Sequence, residues 1–191
     1  MTGTIGIVMA GGNSTRFGED KAFFEIDGKP MYRHIVDALE QSGVCDDIMV
    51  STNSRLSGRF DDMPVKVDVK RFRDRGPLAG IYTFADAYPD KRLLIISCDT
   101  PYISPEWIRT LHEVALDDQS IVVTRSGDRL HPLVGIYQGG GLASDIERLL
   151  TTDRRSMKAL FAERKTIEVD SKLYDIDVTS FLNINRKADL H

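Results

Sequence analysis

The chain has 191 residues, 41% of them hydrophobic and 28% charged, and its formal net charge is -4 at pH 7. A chain of this length suits one domain whose core buries roughly 70% of the surface exposed by the unfolded chain. Because the net charge is negative, the composition does not favour general binding to nucleic acid, and an anionic ligand needs a local site.

Cysteine usage and hydropathy exclude further classes. Cys45 and Cys98 show no CxxC or Cys/His spacing, which predicts neither a zinc site nor a disulfide framework and fits a reducing cytoplasm. The opening segment lacks the basic start of a signal peptide, and no run approaches the ~20 apolar residues that span a bilayer. We therefore expect a soluble, cytoplasmic protein with no membrane partner.

Short apolar runs alternate with helical patterns through about residue 118. Several of the runs are apolar on both faces, as in the buried strands of a mostly parallel sheet. Strands are predicted at 4–10, 47–52, 65–69, 92–98, 120–124 and 133–137. Helices are predicted at 29–43 and 104–116, the second with Ser104 as its cap and Pro105 at its first position. This order predicts right-handed βαβ units in a three-layer α/β/α sandwich.

The last third is less regular. "GGGLASDIERLL" and "RRSMKALFAE" are expected to be helical, with Arg154 and Arg155 opening the second helix, and "KTIEVD" is expected to be a strand. "FLNIN", residues 181–185, is a short apolar stretch with two asparagines. With no linker and no repeat, we predict a single domain over 1–191.

The stretch "IVMAGGNSTRFGEDKA", residues 7–22, fails two familiar phosphate-binding patterns. A P-loop requires GxxxxGK[ST], but Lys21 lies three residues beyond Gly18 and is followed by Ala22. A dinucleotide fingerprint requires GxGxxG, but here Gly11 and Gly12 are adjacent.

The physical basis of a phosphate site nevertheless remains. Glycines allow close approach of the backbone, successive N–H groups form an anion cradle, and Arg16 and Lys21 bring positive charge. The alternative is a tight strand-to-helix turn, capped by Ser14 or Thr15, with both cations solvated.

Two further motifs bear on this choice. In "LLIISCDTPY", Asp99 follows an apolar strand, where a carboxylate can hold a magnesium ion that also contacts phosphate. The alternative role, a helix cap, is already filled by Ser104. "RGPLAGIY" places small residues at a helix start, where backbone groups can contact a flat base or simply allow helix packing.

Five motifs, in this order, resemble the molybdenum cofactor guanylyltransferase (MobA) family: "MAGGNSTRFGEDKA", "GPLAGI", "SCDTPY", "HPLVGIY" and "FLNIN". The opening motif of that family reads approximately LAGGxSxRxGxDKA, and this chain departs from it only in Met9. The resemblance implies a Rossmann-like nucleotidyltransferase of the nucleotide-diphospho-sugar transferase type. Its members transfer GMP from GTP to the terminal phosphate of molybdopterin and release pyrophosphate.

The resemblance also implies roles for individual residues. Arg16 and Lys21 would neutralise the triphosphate, and Asp99 would hold Mg²⁺, so these three are the candidate catalytic residues. Nucleotide-binding positions are Met9, Ala10, Gly11, Gly12, Lys21, Asn53, Asp68, Gly76, Pro77, Leu78, Ala79, Gly80 and Asp99. Asp74 competes with Asp68 for one of these positions.

Molybdopterin-binding positions carried over in the same way are His131, Pro132, Asn183 and Asn185. The part up to about residue 118 would then bind GTP and Mg²⁺, and the remainder would bind molybdopterin. Arg186 stands where the family often has Thr. Cofactor-delivery proteins are further candidate partners.

Several alternatives stay open at this stage. The same fold serves cytidylyltransferases and sugar-phosphate nucleotidyltransferases, and an adaptor that has lost catalysis would keep only the nucleotide site. The basic stretch 70–75 either attracts an anionic substrate or is a solvated charged loop.

Overall fold

The strands and helices of this protein are given by a computed structural model that describes residues 3–12, 20–60, 63–116, 120–185 and 189. The strands in these ranges are β1 Thr4–Met9, β2 Glu25–Ile26, β3 Lys29–Pro30, β4 Asp47–Thr52, β5 Val65–Val67, β6 Arg92–Ser97, β7 Ile121–Ser126, β8 Arg129–Tyr137 and β9 Thr166–Asp170. The α-helices in these ranges are α1 Met31–Ser42, α2 Pro77–Ala87, α3 Pro105–Leu116, α4 Leu142–Leu150 and α5 Met157–Glu163.

Within the described ranges, seven strands form a central sheet in the order β5-β4-β1-β6-β8-β7-β9. β1 pairs in parallel with β4 on one side and β6 on the other, and β7 pairs in parallel with β9. β8 is antiparallel to both of its neighbours. The predicted mostly parallel α/β sheet is confirmed, with β8 as the reversed strand.

Both faces of the sheet are covered by helices, because alternate residues of the central strands are apolar on both sides. Val8 and Ile96 pack in one core with residues of α1 and α3. Ile7 and Ile95 pack in the other core with residues of α2, α4 and α5. Helix α1 ends at Gly43 in the left-handed conformation, and the Ser104 hydroxyl accepts a hydrogen bond from the Trp107 N–H at 3.2 Å.

Three local features differ from the sequence prediction. A β2–β3 hairpin follows the first strand and includes Lys29 and Pro30, so the first helix begins at Met31 and not at residue 29 as predicted. In the described part of the connection from β4 to β5, a 3₁₀ turn at Ser57–Arg59 replaces a crossover helix. Helix α5 begins at Met157 after a Ser156 cap, so Arg154 and Arg155 precede that helix instead of opening it.

β8 is longer than predicted and includes His131 and Pro132. Proline cannot donate to a strand ladder, and its place here coincides with a register shift in the β7–β8 pairing between Val123 and Thr124. The two residues therefore lie in an irregular strand and not in a loop.

No helix within residues 3–12, 20–60, 63–116 and 120–185 is long and apolar enough to cross a membrane.

Gly135 lies where β8 approaches β7 too closely for a side chain. A Cβ atom at this position would overlap the Val122 carbonyl oxygen and come within 3.1 Å of the Val123 Cα. These are backbone atoms of a paired strand, and they cannot move without breaking the ladder.

We expect Gly135→Ala to lower the free energy of unfolding by roughly 2–4 kcal/mol, because overpacking against backbone cannot relax. Chemical denaturation measures this change. Gly58→Ala is the matched control, since a Cβ atom there meets no atom of the described residues within 4 Å. Equal stability of the two variants would contradict this explanation.

Candidate functional site

A cavity of about 610 Å³ opens at the carboxyl ends of β1, β4 and β6. In open α/β sheets, ligands bind in the crevice at this edge. The residues predicted from the sequence that line this cavity are Met9, Ala10, Gly11, Gly12, Lys21, Asn53, Asp68, Gly76, Pro77, Gly80, Asp99 and Asn185. Predicted residues from four of the five motifs, together with Asn53 and Asp68, thus meet in one place.

The remaining predicted residues lie elsewhere. Leu78 and Ala79 are buried in the core beneath the cavity, against β1 and β6. His131, Pro132 and Asn183 do not line the cavity, although Leu133 does. Arg16 and Arg186, like the candidate caps Ser14 and Thr15, lie outside the described residues.

The glycine loop after β1 is anchored by the loop after β4. The Thr52 hydroxyl donates to the Ala10 carbonyl at 3.0 Å, and the Asn53 side-chain amide donates to the Gly11 carbonyl at 3.0 Å. A trans peptide holds its C=O and N–H on opposite sides, so the N–H groups of Gly11 and Gly12 point away from these anchors. On that side they would serve as donors to an anion, which a phosphate cradle requires.

Asn53 is itself held rigidly. Its side-chain oxygen accepts hydrogen bonds from the N–H groups of Arg55 at 3.0 Å and Leu56 at 3.1 Å. A Cβ atom at Gly11 would come within 3.3 Å of the Thr52 backbone, whereas one at Gly12 would meet nothing within 4 Å. Gly11 therefore serves close packing of two loops, whereas among the described residues no atom approaches the Cβ position of Gly12.

Opposite charges face each other across the cavity. The Lys21 ammonium lies 3.6 Å from Asp99 Oδ2, and the two side chains are only 16% and 19% exposed. The Lys21 ammonium also donates to Asn185 Oδ1 at 2.9 Å. The backbone turn that presents Asp99 is held by Thr100, whose hydroxyl donates to the Ser97 carbonyl at 2.8 Å.

Asp20, immediately before Lys21, is clamped by two arginines that the sequence analysis did not select. It forms ion pairs with Arg55 at 2.6 Å and with Arg59, whose guanidinium also lies over the Phe23 ring. The hydrogen bond from Arg55 is the main influence that holds the pKa of Asp20 below its ordinary value. The clamp fixes the chain just before the cavity lysine.

Two carboxylates, Asp68 and Asp74, line the side of the cavity near the start of α2. Burial, with a smaller contribution from the neighbouring Asp74 carboxylate, raises the pKa of Asp68 to about 6, against the lowering effect of Arg73. Gly76, the N-cap of α2, has a φ of 74°, a left-handed value that favours glycine.

The basic stretch beside this wall is partly structural. Arg75 donates to the Leu150 carbonyl at 2.7 Å, near the end of α4. Arg71 forms an ion pair with Glu147 and a hydrogen bond with the Tyr82 hydroxyl. These two arginines tie the 68–76 loop to α2 and α4, which neither of the sequence-based alternatives anticipated.

Beyond Asp99 lies a second group of polar side chains. His131 is 6% exposed, and its Nε2 atom is buried without a hydrogen-bond partner among the described residues. The Asn183 Oδ1 atom is also buried and has no hydrogen-bond partner among the described residues. Burial, followed by Arg129, lowers the pKa of His131 to about 4, so this imidazole is neutral near pH 7.

The cavity does not offer a thiolate nucleophile. Cys98 lines it, but burial raises the pKa of the Cys98 thiol to about 12, and the adjacent Asp99 acts in the same direction. Its thiol stays protonated at neutral pH. The charged groups are thus suited to binding and positioning an anionic ligand rather than to covalent catalysis.

Comparison with known proteins gives a family match and several structural relatives. Residues 6–168 match the family model described as MobA-like NTP transferase domain. The crystal structure of molybdopterin-guanine dinucleotide biosynthesis protein A from Archaeoglobus fulgidus is similar, with a TM-score of 0.81 and 20% identity over 98% of this chain and 95% of that one.

Two other solved structures share the fold. Rv0371C from Mycobacterium tuberculosis, in complex with manganese, has a TM-score of 0.66 and 20% identity over 88% of each chain. The 4-diphosphocytidyl-2C-methyl-D-erythritol synthase from Anaerococcus prevotii has a TM-score of 0.74 and 12% identity over 99% of this chain and 93% of that one. The same fold therefore occurs in a protein whose name refers to a cytidyl group and in one whose name refers to guanine.

We expect Asp68→Asn to raise the free energy of unfolding at pH 7 by roughly 1–2 kcal/mol, after allowance for solvent screening. The raised pKa means that ionised Asp68 destabilises the folded state. The difference in the free energy of unfolding between Asp68→Asn and the wild type is absent below about pH 4. It develops as the pH rises to about 6 and is complete above that value. Denaturation as a function of pH measures it.

The exposed carboxylate Asp90 supplies the control. Asp90→Asn should show no such pH-dependent gain. A wild-type-like profile for Asp68→Asn would mean that Asp68 is not desolvated in the folded chain.

Proposed function

The chain belongs to the MobA-like NTP transferase family of nucleotidyltransferases, and on that premise we propose that it transfers GMP from GTP to the terminal phosphate of molybdopterin and releases pyrophosphate. The observation that carries this proposal is the placement of Lys21 and Asp99, 3.6 Å apart, inside one cavity that is also lined by the glycine loop. The relative from Archaeoglobus fulgidus, named for molybdopterin-guanine dinucleotide biosynthesis, supports the choice of substrates.

GTP would bind along the cavity edge. The backbone of Met9, Ala10, Gly11 and Gly12 would contact the nucleoside and the first phosphate, and the wall from Gly76 to Gly80 would hold the guanine. Leu78 and Ala79 would act there by supporting Gly76, Pro77 and Gly80 from the core. A Cβ atom at Gly80 would overlap the end of the Met9 side chain and the Ser51 hydroxyl, so α2 packs closely here and a larger residue would require these side chains to shift.

Asn53 and Asp68 complete the proposed nucleotide contacts. Asn53 acts mainly by holding the Gly11 carbonyl. Asp68, as a carboxylate, supplies hydrogen-bond acceptors only, which suits the donor groups of a ribose or of guanine.

The reaction needs positioning and charge neutralisation. An oxygen of the acceptor phosphate forms a bond to the α-phosphorus of GTP, and the bond from this phosphorus to the bridging oxygen breaks, with the electron pair leaving on pyrophosphate. Because the nucleophile is already an anion near neutral pH, no general base is required. Lys21, Arg16 and the loop N–H groups would stabilise the negative charge of the leaving pyrophosphate.

A magnesium ion fits Asp99. Nucleotide-bound Mg²⁺ is commonly held through one or two carboxylates together with substrate phosphates, and Asp99 presents one carboxylate inside the cavity. No group of three or more His, Cys, Asp or Glu side chains that could hold a metal occurs in the described ranges, so the substrate phosphates would complete the site. When bound, Mg²⁺ neutralises phosphate charge and aligns the triphosphate. The manganese complex of Rv0371C supports a divalent cation on this fold.

Molybdopterin would bind beyond Asp99, at His131, Pro132, Asn183 and Asn185. The buried Nε2 of His131 and Oδ1 of Asn183 are unpartnered within the described ranges, and an unpaired buried polar atom costs about 1–3 kcal/mol. A pterin carries many hydrogen-bonding groups that could satisfy both atoms.

We propose a cytoplasmic location, with Cys45 and Cys98 as free thiols.

A nucleotide panel tests the proposal. Pyrophosphate release is measured with Mg²⁺ and GTP, CTP, ATP or UTP, with and without molybdopterin. Release with GTP that depends on molybdopterin is the expected result. Release with CTP alone would identify a cytidylyltransferase, and nucleotide binding without release would identify an adaptor.

We expect Lys21→Ala and Asp99→Ala each to lower turnover by roughly a hundredfold or more, because each removes charge stabilisation at the phosphates. Their free energies of unfolding should change by no more than about 1 kcal/mol, as for substitutions outside the core. The steady-state rate and the denaturation midpoint are the two measurements.

Lys172→Ala and Asp90→Ala remove the same charges from exposed positions away from the cavity and serve as controls. Near-normal turnover in either cavity variant would contradict the role proposed for that residue.

A further inference from the structure

The segment 183–185 lies against the nucleotide cavity as well as beside the proposed acceptor site. Ile184 is fully buried against Ile26 and Met31, and its N–H donates to the Asp99 carbonyl at 2.8 Å. This places Asn185 at the cavity, where it lines the same wall as Lys21. The 183–185 segment thus contacts both Lys21 and Asp99.

The Asn185 side chain makes direct contact with the cavity lysine. Its oxygen accepts a hydrogen bond from the Lys21 ammonium at 2.9 Å, shorter than the 3.6 Å that separates this ammonium from Asp99. Asn185 is neutral, so it orients the ammonium without cancelling its charge. A carboxylate in hydrogen-bond contact would orient the ammonium and also neutralise it.

The separation of Lys21 from Asp99 matters chemically. In close contact, the ammonium and the carboxylate would compensate each other, and both would lose attraction for a triphosphate and its metal. At 3.6 Å the ion pair is loose, and the shorter hydrogen bond points the ammonium toward Asn185. Loss of the Asn185 oxygen would remove one of the contacts that hold Lys21 at this distance from Asp99.

We propose that Asn185 is a positioning residue for the nucleotide side of the site: it holds Lys21 away from Asp99 so that the lysine charge is available to the triphosphate. The inference rests on the proposed function and gives Asn185 a role beyond acceptor binding. It also makes the 183–185 segment part of the donor site.

The test measures GTP binding without any acceptor, by isothermal titration calorimetry in the presence of Mg²⁺. We expect Asn185→Ala to weaken GTP binding roughly five- to tenfold, in line with loss of a hydrogen bond to a charged group. Binding of guanosine, which has no phosphate, should change less than twofold. Leu182→Ala, at an exposed position three residues away, is the control and should bind GTP as the wild type does.

A double-mutant cycle separates positioning from direct contact. If Asn185 acts through Lys21, the Asn185→Ala change should have less than a twofold effect in a Lys21→Ala background. Equal effects in both backgrounds would overturn the inference, because they would indicate independent contact with the nucleotide. Asn185→Leu, which keeps side-chain bulk without an acceptor oxygen, should behave as Asn185→Ala does, and thermal unfolding shows that both variants are folded.

The outcomes distinguish this inference from the proposed function. A wild-type chain that binds none of the four nucleoside triphosphates would overturn both. Wild-type binding of GTP together with unchanged or tighter binding by Asn185→Ala would overturn only the role of Asn185.

Discussion

The parallel pairing of β1 with β4 on one side and β6 on the other is the constraint on which the site depends. Its register sets Met9 level with Ser51 of β4 and with Ser97 of β6. The chain leaves all three strands at the same height, so three loops that are distant in sequence must share one crevice. The glycine loop, Asn53 and Asp99 therefore face one another without any local sequence signal between them.

Three ion pairs near this crevice are close: Asp20 with Arg55 and Arg59, and Arg71 with Glu147. These pairs and the Arg75 hydrogen bond fix loops to neighbouring helices. Inside the cavity, Lys21 and Asp99 are held farther apart. Because the chain carries a net charge of -4, the proposed binding of a triphosphate would depend on local positive charge such as that of Lys21.

Sequence reasoning was effective wherever a motif ended a buried strand. Gly11, Asn53 and Asp99 all follow such strands, and the general rule for ligand sites in α/β sheets brings them together. The same rule could have identified Ser51, Thr52 and Ser97, which line the cavity at the ends of β4 and β6.

The remainder depended on contacts over long sequence separations. Nothing local to Arg55 or Arg59 indicates a partner at Asp20, and nothing in the basic stretch 70–75 indicates α4 as its neighbour. The sequence alone did not show which residues of the 76–80 motif line the cavity. Successive residues at the start of a helix point in different directions, so some reach the cavity and others reach the core. Gly76, Pro77 and Gly80 face the ligand side, whereas Leu78 and Ala79 face the core. Which residues fall on which side depends on how α2 packs on β1.

The reversed strand β8 places two of the proposed acceptor residues, His131 and Pro132, in the first half of a strand, whereas the proposed nucleotide residues Gly11 and Asn53 follow theirs. Since β8 is antiparallel to β6, with Val134 opposite Ile96, its first half lies at the carboxyl edge of β6. His131 and Leu133 thereby reach the same edge as Asp99. β7 and β9 run in the direction of β6, so the chain leaves β9 at this edge too, after Asp170. The segment that follows packs Tyr174 and Phe181 on Trp107 before Ile184 joins the Asp99 carbonyl. One reversal in an otherwise parallel sheet thus delivers a strand beginning and a strand ending to the same crevice, which allows a two-substrate site to form along a single edge.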